Sequence, residues 1–266
     1  MIRKNAPSLL TIILWLASHR YGVSQNHEDK PNTKLSEGLQ RISELKIEWA
    51  LLYAGRNRPD RKAQIAEERR CFRELNEILK SAPHQLVPLV KHILETNPGT
   101  RTDGFETLAE FAASRIFQTN GIEPFLIPFD VNAPQDRALA ESLGKIMAEH
   151  KNPRIRASFA HAWTRNRDFR EACGNYGHLA IFRLANDSDG TAPHAMAQNI
   201  GTIQEQLHPK IRDHVLLSLI THKDSYVRFP AIENFNPGKA SKNLNKRVQL
   251  ATIGCRRGGS FEPAFL

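Results

Sequence analysis

The stretch Lys223–Phe235, KDSYVRFPAIENF, decides how this chain is read. It reads as the end of one helix, a tight turn and the first turns of a second helix. Asp224 is placed to cap that second helix through its carboxylate oxygens. Val227, Ala231 and Phe235 then recur at helical spacing, and Arg228 follows the first apolar contact by one residue. Similar junctions stand upstream at Lys151–Trp163 (KNPRIRASFAHAW) and Asn186–Ile200 (NDSDGTAPHAMAQNI). Their turn residues Asn152, Asp189 and Asp224 lie 37 and 35 positions apart. A period of that size predicts stacked helical pairs.

Working outward, Pro134–Glu149 pairs with Pro153–Arg165, Phe169–Leu184 with Ala192–Glu205, and Pro209–Thr221 with Tyr226–Phe235. Asn243–Cys255 opens a fourth pair that receives no partner. Pro153, Pro193 and Pro209 fall near helix starts, where a missing N–H is harmless. Upstream, Leu35, Leu39, Ile42, Leu45 and Trp49 predict a helix over Leu35–Ala54, with Thr33 as its cap. Gly55–Asp60 ends it. Arg61–Lys80 is a second helix, and Ala82–Leu94 a shorter one with a bend expected at Pro88. Phe105–Thr119 turns Leu108, Ala109, Phe111, Ala112 and Ile116 inward, after a loop at Asn97–Asp103. Ile122–Val131 carries two prolines and reads as a packed connector, since Pro removes ladder donors from a strand. No segment sustains the alternation of a half-buried strand, so the fold class is all-α.

The residues of NPRIR (Asn152–Arg156) and DSYVR (Asp224–Arg228), with Ala160 and Ala231 downstream, resemble HEAT-type (armadillo-like) repeats. In that family a turn Asp and a second-helix Arg follow one another, and small residues let the paired helices approach. The resemblance covers Pro134–Cys255 and is faint over Leu35–Val131. It departs from the pattern at Asn152, which replaces the Asp, and in the middle repeat, where His194 or Ala195 stands in place of the Arg. What it implies is a short right-handed α-solenoid of stacked helical hairpins whose second helices line a concave face. Asn152, Asp189, Asp224, Arg228, Ala160 and Ala231 then hold structural repeat positions. Ile155, Phe159, Ala160, Trp163, Val227 and Ala231 are the expected core.

The chain is long enough for one sizeable domain or a short repeat array. Met1–Asn5 is positive, Leu9–Ala17 (LLTIILWLA) is apolar, and His19–Ser24 turns polar with small residues at Gly22 and Ser24. That layout predicts a secretory signal peptide over 1–24 and export to a secreted or periplasmic location. The apolar run is too short for a stable membrane span, which needs about 20 residues. A polar linker is expected over 25–34, irregular helical hairpins over 35–133, regular repeats over 134–258 and a tail over 259–266. The net charge is +9; without Arg3, Lys4 and Arg20 of the leader it is +6, an unremarkable value. Cys71, Cys173 and Cys255 are isolated and read as small buried hydrophobes rather than a disulfide framework or a zinc site.

Few motifs carry chemistry. Asn186–Gly190 (NDSDG) opens like a calcium loop, but its Gly comes too early and no Glu follows at the needed position. A helix cap is the better reading, and Asn186-Asp187-Ser188 is formally a glycosylation sequon. The eleven histidines are scattered, and His214 and His222 lack the i, i+4 spacing of a zinc pair. No GxSxG, phosphate-binding Gly loop or HExxH occurs, and no cofactor or metal is called for. Arg154, Arg156, Arg165, Arg167 and Arg170, interleaved with Trp163 and Phe169, form the densest basic-aromatic cluster and the candidate binding residues. The expectation is a non-enzymatic, exported scaffold with a protein partner on the concave face. The alternative is a nucleic-acid-binding protein similar to HEAT-like alkylpurine DNA glycosylases, and a weaker third is an enzyme similar to HEAT-like phycobilin lyases.

Overall fold

The computed structural model describes residues 30–54, 60–95, 107–116 and 132–256 of the chain. The expected leader, most of the linker, the Asn97–Asp103 loop, the Ile122–Val131 connector, the tail and the side chain of Cys255 lie outside the described residues. Those described are all-helical, with no strand among them. The helices are α1 (Lys30–Ala54), α2 (Arg61–Ser81), α3 (Leu86–Leu94), α4 (Leu108–Arg115), α5 (Pro134–Ala148) and α6 (Pro153–Arg165). Then come α7 (Arg167–Leu184), α8 (Thr191–Ala197), α9 (Ile200–Gln206), α10 (Pro209–Ile220), α11 (Ser225–Glu233) and α12 (Lys242–Arg256).

Each helix presents one apolar stripe that only a neighbour can cover. In α1 the stripe is Ile42, Leu45 and Trp49; in α6 it is Ile155, Phe159, Ala160 and Trp163, all buried. Val227 and Ala231 of α11 are fully buried as well. Sequence neighbours pack as α1 with α2, α3 with α4, α5 with α6, and α10 with α11. Helices two or three places apart pack as well: α1–α3–α5–α7–α10–α12 in one succession and α4–α6–α8–α11 in another. The most extensive contacts, α5 with α7 and α6 with α8, are of this second kind. Phe159 and Phe169 meet edge to face at 5.9 Å, and Trp49 lies 4.7 Å from Phe111.

Several boundaries differ from expectation for identifiable reasons. α1 already includes Lys30–Lys34 of the expected linker, so Thr33 lies within the helix rather than at its cap. Pro88 is the third residue of α3, where no intrahelical carbonyl awaits its N–H, and it needs no bend. α4 spans only Leu108–Arg115 because Thr107 and Glu110 form a capping box that fixes its start. Gly174, at φ 50°, kinks α7 where a continuous helix was expected. Ala192–Glu205 is broken into α8 and α9, because the Asn199 amide turns back onto the carbonyl of Ala195 at 2.9 Å.

Candidate functional site

The two turns that resemble HEAT repeats share one local structure. In the first, His150 Nδ1 accepts the N–H of Asn152 at 3.0 Å, and Arg156 Nη1 donates to the carbonyls of His150 (2.8 Å) and Lys151 (3.0 Å). In the second, His222 Nδ1 accepts the N–H of Asp224 at 3.1 Å, and Arg228 Nη1 donates to the carbonyls of His222 (2.6 Å) and Lys223 (2.9 Å). The arginine thus neutralises carbonyls left free at the end of the preceding helix. Burial lowers both histidines below their usual pKa, which suits the neutral, accepting nitrogen. The repeated His-Lys pair before each turn was a sequence signal for this geometry, and the sequence reading passed over it.

Arg156 also reaches the next turn. Its Nε and Nη2 grip Asp187 at 2.5 and 2.9 Å, and Asp187 in turn accepts the N–H of Asp189 at 3.0 Å. Asp189 holds Thr191 N–H at 2.9 Å and the Thr191 hydroxyl, bonds that keep its carboxyl below the usual range. On the other side, Asn152 caps α6 through Arg154 N–H (2.9 Å) and donates its amide to Glu110 of α4 at 2.8 Å. Asp224, expected to cap α11, makes no side-chain cap bond; it holds the cap position with extended backbone only. Ala160 and Ala231 are fully buried.

The basic-aromatic cluster is not brought together as one surface. Trp163 is fully buried and cannot stack on an incoming base. Phe169 is equally buried. Arg156 is spent on Asp187, and Arg170 donates to the carbonyl of Trp163 at 3.0 Å while lying over its ring. Arg154, Arg165 and Arg167 remain exposed. Of these, Arg154 lies 3.4 Å from Glu110, Arg165 donates to Asn199 at 3.2 Å, and Arg167 pairs with Glu171 at 2.6 Å.

A different surface is assembled across α6, α8 and α11. His161 and Arg165 share a face of α6; His194 and Gln198 share one of α8; Tyr226 and Phe229, about half exposed, share one of α11. Burial lowers the His161 pKa, assisted by Arg165 and His194. Pro230 has no N–H for the carbonyl of Tyr226, and His194 Nδ1 supplies one from α8 at 2.7 Å. A carbonyl only accepts, so Nδ1 carries the hydrogen and Nε2 accepts from Gln198 at 2.9 Å. The His194 and Tyr226 rings lie 5.1 Å apart. The face is therefore cationic at α6 and aromatic at α11. Sequence reading missed His194 here, although Pro230 inside a helix already calls for an outside donor.

Two further clusters join the first helices. Arg41 and Arg70 bridge Glu44, Glu48, Glu67 and Glu74 across α1 and α2. Glu48 and Glu67 approach Cys71 closely enough to share a cation. Both carboxylates are already neutralised by arginine, and burial pushes the thiol up to about 11, so the group acts as an ion-pair network. In the second cluster Ser43 Oγ lies 2.8 Å from His92 Nε2, and His92 Nδ1 lies 3.4 Å from Glu95. Ser43 also donates to the Leu39 carbonyl at 3.0 Å, as helical serines do. Buried Lys46 spans the carbonyls of His92 and Glu95, and burial pushes it down to about 8.

Comparison with protein-family models, with curated proteins and with solved structures gives no match to the chain. No described helix is long and apolar enough to cross a membrane.

Proposed function

We propose that the chain is a short right-handed α-solenoid of the HEAT-like kind. On this reading it is an exported, non-enzymatic scaffold that holds a protein partner against the face of its second helices. Each hairpin is too small to bury its stripe alone, and stacking buries the stripes in one elongated core. The packing of helices two or three places apart and the repeated His-Lys turn with its arginine support the stacked reading. The observation that carries the binding role is the face His161–Arg165–His194–Gln198–Tyr226–Phe229. It runs across three successive second helices and keeps Tyr226 and Phe229 in solvent. Exposed aromatics beside cations are what interface centres are made of. The burial of Trp163 and the engagement of Arg156 and Arg170 weigh against the nucleic-acid alternative.

The test is a photo-crosslinking residue at Phe229, compared with one at exposed Glu141 on α5. Adducts to another protein are expected from position 229 and not from 141. Equal adducts, or none at 229, would remove the role. The nearest approach to a catalytic arrangement is Ser43–His92–Glu95. Ser43 is expected to stay unlabelled by a fluorophosphonate. Labelling that vanishes in His92→Asn would make the chain a hydrolase instead.

A further inference from the structure

Of the three arginines of α6, two are held by carboxylates: Arg156 by Asp187 at 2.5 Å and Arg154 by Glu110 at 3.4 Å. Arg165, exposed at the end of the helix, pairs with no carboxylate among the described residues. Its Nε donates to Asn199 at 3.2 Å, so the Nη1–Nη2 edge is left for another acceptor. Neither α6 nor α8 contains an Asp or Glu that could neutralise it. One turn before it, His161 makes no side-chain hydrogen bond among the described residues, and its Nδ1 is enclosed without a partner. His161 feels the charges of both Arg165 and His194, and the His194 ring lies 5.1 Å from Tyr226. Phe229 follows Tyr226 by three positions on the same side of α11, and both are about half exposed. Asp189 and Asp224, the acidic groups beside Tyr226, stand at the opposite ends, ahead of α8 and α11.

We infer that the occupant of this face is an acidic segment of a protein partner, with a carboxylate on Arg165 and a large apolar side chain against Tyr226 and Phe229. The inference rests on the scaffold reading of the same face and adds the chemistry of the partner. The Nη1–Nη2 edge of an arginine matches a carboxylate in two parallel bonds. A single such edge does not make a track for a nucleic-acid backbone, which needs several cations in succession. The exposed aromatic rings gain by being covered with apolar surface, which a protein side chain supplies. A spacing follows from the packing. α6 and α11 each pack on α8, and helices in contact stand about 8–10 Å apart, so the two anchors lie about 16–20 Å apart. An extended chain covers that distance in about five or six residues. The partner segment therefore places its carboxylate about five or six positions from its apolar residue.

The test places a photo-crosslinking residue at Phe229 of the full chain in its native host and sequences the adducts. It is run on the otherwise unchanged chain and on Arg165→Glu, Arg165→Gln and Arg167→Glu. Arg167 is exposed on α7, outside the face, and gives the same charge change elsewhere. Arg165→Glu is expected to lower the yield of protein adducts about tenfold, the scale of one charge-assisted contact. Arg165→Gln, which keeps a donor for Asn199, should lower it in the same direction, and Arg167→Glu should leave it unchanged. The adducted segments should carry Asp or Glu about five or six residues from the crosslinked position. Four results overturn the inference: unchanged yield in Arg165→Glu, equal loss in Arg167→Glu, segments without that carboxylate, or adducts to nucleic acid or a second copy of this chain. Adducts to another protein at 229 would in the first three cases leave the scaffold reading standing. No adducts at 229 in the unchanged chain would remove the scaffold reading and the inference with it.

Discussion

At the scale of single residues, the account turns on side chains that satisfy backbone groups across helices. His194 donates to the Tyr226 carbonyl that Pro230 leaves free, so His194→Ala should cost about 0.5–1.5 kcal/mol, the net worth of one hydrogen bond at an exposed site. Pro230→Ala restores the intrahelical donor, and the double variant should recover most of that loss in urea denaturation. Arg156 and Asp187, with side chains 17% and 9% exposed, form the most buried ion pair between turns among the described residues. Asp187→Asn should lower stability by about 2–4 kcal/mol, because it leaves a partly buried guanidinium unpaired. The sequence made Asn152, Asp224 and Arg228 visible as turn residues. It did not show that Asp187 rather than Asp189 meets Arg156, nor that Asp224 caps nothing. Those outcomes depend on how far one turn stands from the next, a distance set by packing.

At the scale of elements, helix existence followed from apolar spacing, and helix ends followed from side chains that compete for backbone groups. Gly174 and Asn199 break segments whose apolar pattern runs on unbroken, so pattern alone could not place them. Gly177 permits a close approach: a Cβ there would stand 2.5 Å from Trp163 Nε1. Gly177→Ala should therefore cost about 1–3 kcal/mol despite better helix propensity. Lys46 couples α1 to the end of α3 at an electrostatic cost. Its pKa falls from 10.5 to about 8 on folding, so between those values the unfolded chain binds more protons than the folded one. Stability should rise across pH 8 to 10.5 by up to about 3 kcal/mol from this group and be lost as pH falls through 8. Lys46→Met should flatten that rise.

At the scale of the whole molecule, five histidines among the described residues (His92, His150, His161, His178 and His222) are lowered chiefly by burial. The unfolded chain therefore takes up protons first as pH falls through about 6.5. The stability these groups contribute is full above that value and is lost below it. Denaturation midpoints should fall between pH 6.5 and 5, and His161→Gln should reduce the slope. The all-helical class was legible because apolar residues recur at helical spacing and no segment alternates. The face built by His161, His194 and Tyr226 was not, because its members come from three helices distant in sequence, α6, α8 and α11. A stack of hairpins is quasi-one-dimensional, so each unit draws its stability from its neighbours. Native-state hydrogen exchange of the full chain at rising denaturant tests this most directly. The account predicts graded opening, with protection greatest in α5–α8 and lower in α11 and α12. Amides throughout α1–α12 that all open at one free energy would contradict it.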